Sequence, residues 1–153
     1  MFVRLSLTVF LSLTLFAFSA QAQQKSELVR SVSSPDGAIT VTLSDDDGLL
    51  SYSVNRKGKE VIQSSLLGMR FADQHGFDAD LSISSPKTDS HKSTWEQPWG
   101  ERRFVENSYQ QLSVTVTRAK PTQTFTLVVK AFNDGIGFRY EVPKQKGLNT
   151  VAI

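Results

Sequence analysis

The side chains with the most chemical potential lie in one stretch, Thr94-Trp95-Glu96-Gln97-Pro98-Trp99-Gly100-Glu101-Arg102-Arg103, which holds both tryptophans, two carboxylates and two guanidiniums. An indole face packs on the apolar face of a pyranose, and carboxylate and guanidinium groups bind its hydroxyls, so these are the ingredients of a sugar platform. The alternative is structural: Trp95 and Trp99 plug a core or pack on a neighbouring domain while Glu101 pairs locally with Arg103. Glycoside hydrolysis needs two carboxyls about 5 to 9.5 Å apart across a substrate. Glu96, Glu101 and Glu106 are the local acids, but a spacing of five along a strand sends Glu96 and Glu101 to opposite faces, against a shared task.

Other reactive residue types form no constellation. His75 and His91 stand alone in polar sequence without metal-ligand spacing. Asp45, Asp47 and Gly48 echo a calcium loop, yet Glu60 falls beyond the twelfth position where the closing glutamate belongs, so a turn is expected. No Gly-rich phosphate loop, nucleophile elbow or zinc signature occurs. The absence of cysteine excludes disulfides, thiolate metal sites and a thiol nucleophile.

The elements around these residues read as strands. Residues 125–142 alternate Phe125, Leu127, Val129 and Ala131, break at Asn133-Asp134-Gly135, and resume with Ile136, Phe138, Tyr140 and Val142: a β-hairpin with one buried face. An Asp134-Gly135 loop would set Lys130 opposite Arg139, whereas Asn133-Asp134 would set Val128 there; like-charge opposition disfavours the first and turn chemistry favours it. Upstream, residues 28–32 form a short strand before the Ser33-Ser34-Pro35-Asp36-Gly37 turn. Ile39, Val41 and Leu43 then alternate, as do Leu50, Tyr52 and Val54. Val61-Ile62 follows, then Leu67, Met69 and Phe71 on one side of a further strand. These make a meander buried on one face. From 72 to 94 the pattern weakens to the pair Leu81 and Ile83, which reads as a loop or an edge. Periodicity returns at Leu112, Val114 and Val116. No window shows helical spacing with start and stop signals, so the fold class is all-β, a β-sandwich.

The first 22 residues are set apart from the domain. A basic start at Arg4, an apolar run over 5–18 and the small-residue site Ala20-Gln21-Ala22 form a secretory signal peptide, leaving 23–153 as one domain. A membrane anchor would need roughly 20 apolar residues. At 39% hydrophobic and 21% charged the composition is globular, not disordered. The near-neutral charge, with an Arg102-Arg103 pair lacking repeated cations and interleaved aromatics, argues against a nucleic-acid partner.

Five features occur in order: Ser34-Pro35-Asp36-Gly37 before an alternating strand; Leu50-Ser51-Tyr52-Ser53-Val54 with Lys57-Gly58-Lys59-Glu60-Val61-Ile62; Trp-Glu-Gln-Pro-Trp-Gly-Glu at 95–101; Asn107-Ser108-Tyr109; and Ala-Phe-Asn-Asp-Gly-Ile-Gly-Phe-Arg-Tyr at 131–140. The series resembles the N-terminal domain of glycoside hydrolase family 97, bacterial α-glucosidases and α-galactosidases of polysaccharide-utilisation systems, over nearly the whole mature chain. The resemblance implies a galactose-mutarotase-like supersandwich, here incomplete at its C-terminus, with exposed edges that invite association. It implies that a (β/α)8 barrel with the catalytic carboxylates, calcium-ligating glutamates and a small C-terminal β domain would follow Ile153. This chain would then be inactive alone, with no catalytic or metal residue of its own and no cofactor, calcium belonging to the full-length enzyme. Family members often carry Asn-His-Tyr where this chain has Ser108, so no functional imidazole is expected there. The binding or domain-interface candidates are Trp95, Trp99, Glu101, Arg103 and Asn107. The implied partners are the barrel and an α-linked oligosaccharide, in the periplasm or secreted from a Gram-negative bacterium, with no membrane span after signal cleavage. A free-standing periplasmic carbohydrate-binding module and a purely structural gene fragment are the alternatives.

Overall fold

Two four-stranded antiparallel sheets face each other in the computed structural model, which describes residues 30–72, 76–146 and 148. The signal-peptide segment, residues 28 and 29 and His75 lie outside the described residues. The first sheet runs in sequence order through β1 (Ser31–Ser33), β2 (Ile39–Ser44), β3 (Ser51–Arg56) and β4 (Lys59–Leu66). The second runs likewise through β5 (Leu81–Glu96), β6 (Phe104–Arg118), β7 (Gln123–Phe132) and β8 (Ile136–Glu141). β1 lies over β6 and β7, and β2 over β7.

Period-two alternation builds the core between the sheets. Ile39, Val41 and Leu43 of β2 meet Leu112, Val114 and Val116 of β6 and Phe125, Leu127, Val129 and Ala131 of β7, all buried. Phe77 packs edge-on against Phe125 at 4.7 Å, Phe125 lies 5.4 Å from Tyr140 within the second sheet, and Tyr52 of β3 lies 5.6 Å from Phe138 of β8, joining the layers. Asp46–Gly48 form a short 3-10 turn after Asp45, as a turn reading expects. Asp45 accepts from the Ile83 amide at 2.7 Å and pairs with Arg30, tying the end of β2 to the other sheet.

The hairpin of β7 and β8 takes the Asn133-Asp134 loop: Phe132 N donates to Gly135 O at 2.8 Å and Val128 faces Arg139. The Lys130–Arg139 opposition is thereby avoided; Lys130 faces Gly137 and its Nζ sits 3.9 Å over the Tyr109 ring. Asn133 also accepts from the Asp36 amide at 3.0 Å, so the loop serves the opposite sheet's turn.

One expectation holds and one is corrected. Of the loop and edge readings for 72–94, the edge holds over Leu81–Glu96, which is the edge strand β5. Beyond Ile83 it has no buried face, so it shows no apolar alternation. A bulge between Ser84 and Lys87, with Ser85 at φ 50 and Pro86 beside it, marks it as a protected edge. Conversely, Leu67, Met69 and Phe71 form no further strand. β4 ends at Leu66, and the chain then makes an isolated bridge in which Phe77 N donates to Met69 O at 2.7 Å and Met69 N to Phe77 O at 3.3 Å. The two backbones approach so closely that a Cβ on Gly76 would lie 2.0 Å from Met69 O.

Candidate functional site

β6 pairs with β7 only from Tyr109 onward, while its pairing with β5 runs five rungs further, from Lys92–Ser108 to Glu96–Phe104. The excess is a two-stranded arm projecting from the second sheet. Its root is braced on one face, where His91 stacks on Tyr109 at 5.0 Å, Phe132 packs at 5.2 Å and Lys130 covers the ring. Residues 97–103 form the tip. Gln97 N donates to Arg103 O at 2.9 Å and Gln97 Nε2 to Arg102 O at 2.7 Å, closing the loop around Pro98 and Gly100. Gly100 sits at φ 125, a backbone state that side chains resist.

The arm gathers the sequence candidates at one end of the molecule. Trp95 faces Val105 across the strands and Asn107 faces Ser93 one step back, so Trp95 and Asn107 share a face. Trp95 is 51% exposed and Trp99, in the tip, 83%. Neither plugs the core, so that reading of the tryptophans is wrong for this chain. Arg103 pairs with Glu96 at 2.7 Å instead of Glu101, because the neck of the hairpin brings positions 96 and 103 together while Glu101 lies out in the loop. On the other face Lys92 and Glu106 pair at 3.4 Å. Both ion pairs are open to solvent and contribute little stability.

Sequence reasoning missed Phe104. It is 59% exposed, its ring lies 5.4 Å from the Arg103 guanidinium, and it faces Glu96 on the side of the arm opposite to Trp95. Its signal was adjacency to the arginine pair, outside the alternation that begins at Leu112. A shallow cavity of about 510 Å³ lies away from the arm, lined by Leu49, Leu66, Met69, Arg70 and Asp78 among others. Among its described lining residues Asp78 is the one carboxylate. Among the described residues no group of three His, Cys, Asp or Glu could hold a metal ion, and no helix is long and apolar enough to cross a membrane.

The described residues thus form an antiparallel two-sheet sandwich bearing an aromatic-tipped arm. The family model for the glycosyl-hydrolase 97 N-terminal domain matches residues 32–153, and the chain belongs to that family. A glycoside hydrolase family 97 enzyme from Pseudoalteromonas sp. strain K8, in complexes with panose and with acarbose, is 41% identical with a TM-score of 0.74. The match covers 79% of this chain and 18% of that one, so the chain spans under a fifth of the length of these relatives. A beta-arabinopyranosidase, 20% identical over 76% of this chain and 18% of its own, has a TM-score of 0.69 and supports the fold alone.

Proposed function

We propose that this domain is the non-catalytic N-terminal scaffold of a secreted family 97 glycoside hydrolase, and that its β5–β6 arm packs against the catalytic (β/α)8 barrel. The supporting observation is the exposure of Trp95, Trp99 and Phe104 at the end of an arm that the sandwich core does not need. Large aromatics with open faces are characteristic of interface anchors. The chain matches 18% of the length of those relatives, which supports a catalytic domain in other polypeptide. Panose and acarbose in those relatives favour α-glucosides over α-galactosides as substrates. On the family resemblance, any calcium of the parent enzyme would be held by residues outside this domain. The leader over 1–22 supports export to the periplasm or beyond.

The test is Trp99→Ala in a full-length homologue and in this chain alone. The homologue should lose about tenfold or more in kcat/KM or several degrees in Tm, as for an interface anchor. The isolated chain should change by less than about 0.5 kcal/mol, because an exposed side chain leaves no cavity. A homologue unchanged in both kcat/KM and Tm would remove the docking role. A second reading, direct oligosaccharide contact, draws on the shared face of Trp95 and Asn107. Calorimetric titration of this chain with panose separates the two: saturable binding lost in Trp95→Ala favours a binding module, and turnover contradicts both.

A further inference from the structure

Pro143 follows closely on the end of β8, and the ladder has a gap there to fill. The β7–β8 register sets Thr126 opposite Glu141, so the next hydrogen-bonded pair would be Thr124 with Pro143. Proline has no N–H, so the Thr124 carbonyl would lack its donor. Gln145 supplies the missing partner from its side chain. Its Nε2 donates to Thr124 O at 2.6 Å and its Oε1 accepts from Thr124 N at 2.8 Å, a two-point pairing like that of a strand residue. The same Nε2 lies 3.2 Å from Pro143 O.

The next residue is tied down independently. Lys146 O accepts from Gln123 Nε2 at 3.1 Å, Gln123 Oε1 accepts from Arg118 Nη2 at 2.5 Å, and Arg118 Nη1 reaches Gly76 O at 2.6 Å. Arg118 and Gln123 are each 4% exposed, so this anchorage is part of the interior. We infer that Gln145 is a latch that replaces the ladder pair Pro143 cannot make, pinning residues 143–146 along β7 and closing that edge to any other strand. The backbone groups of Thr124 are the ones an incoming strand would use, and the latch occupies both. It lies at the end of the second sheet opposite the arm, so the chain leaves the sheet in a direction fixed by a side chain.

A double-mutant cycle on the 153-residue chain tests this, with Gln145→Ala, Pro143→Val and both together. The readouts are exchange of the Thr124 amide by NMR and tryptic cleavage after Lys144 and Lys146. Gln145→Ala should speed Thr124 exchange about tenfold and hasten cleavage, since a paired amide is opened. Valine at 143 restores a backbone donor, so the same substitution in that background should change exchange by less than about threefold. Gln145→Glu, which keeps the acceptor and loses the donor, should fall between. Equal acceleration in both backgrounds, or none in Gln145→Ala, overturns the latch. If Gln145→Ala fails to fold, recovery of folding in the double variant supports the inference and failure of both overturns it.

Discussion

Asp45 joins three parts of the chain with one carboxylate: Arg30 ahead of β1, its own position after β2, and the Ile83 amide of the facing sheet. Its side chain is only 14% exposed, so Asp45→Ala leaves a part-buried N–H without an acceptor. That should cost about 1 to 3 kcal/mol, read as a lower urea midpoint at unchanged m-value. Asp36 acts through charge at the surface. The Ser34 hydroxyl at 2.6 Å, and then the Ala38 amide at 3.0 Å, hold its carboxyl below the usual aspartate value. A depressed folded-state value stabilises above the unfolded value and loses that stabilisation as pH falls through the folded one. Asp36→Asn should therefore flatten the decline in stability below about pH 4, seen as a smaller Tm drop between neutral and acid buffers. At this scale the sequence revealed residue types and misjudged partners. One reading of the sequence pairs Arg103 with Glu101, two residues away, but strand geometry carries Arg103 to Glu96, seven away across a hairpin neck. Closing that neck depends on Gln97, a residue with no chemical signature of its own.

Strands with one buried face were legible because burial imposes alternation. β2, β6 from Leu112 onward and β7 follow the period of two almost without interruption. The arm half of β5 was not legible, because both its faces meet solvent and nothing selects apolar residues at every second position. The segment 67–71 failed in the opposite sense. Leu67 and Phe71 are buried and Met69 packs against the core, so they alternate like a strand. Their backbone is held by one bond from Leu67 N to Leu50 O and an isolated bridge between Met69 and Phe77, which sequence periodicity cannot detect. That bridge depends on glycine. Gly76→Ala would drive a methyl against Met69 O, a backbone atom that cannot swing away, and should cost about 3 kcal/mol, the upper end for overpacking. Loss of protection at the Phe77 amide would mark the bridge as the part that opens.

Across the whole molecule the sheets are held by one continuous core, with no disulfide to assist. Leu127 sits in the middle of β7 with no exposed surface, so Leu127→Ala should cost about 2 to 5 kcal/mol and lower a single cooperative transition observed by circular dichroism. Two separate transitions would mean that the sheets melt independently. The all-β class and the family membership were readable from the sequence because they rest on order and spacing spread over the chain. The arm was only half readable: its tip residues stood out, but their projection beyond β7 depends on where one pairing stops and another continues.

Placing both indoles of the protein on that arm has a spectroscopic consequence. Their emission should already be red-shifted in the native state and move little as the core melts, so intrinsic fluorescence is a poor gauge of folding for this domain. The same two fluorophores become a selective reporter once something covers them. A blue shift on mixing with a separately produced barrel would signal contact at the arm, against a background almost silent to everything else.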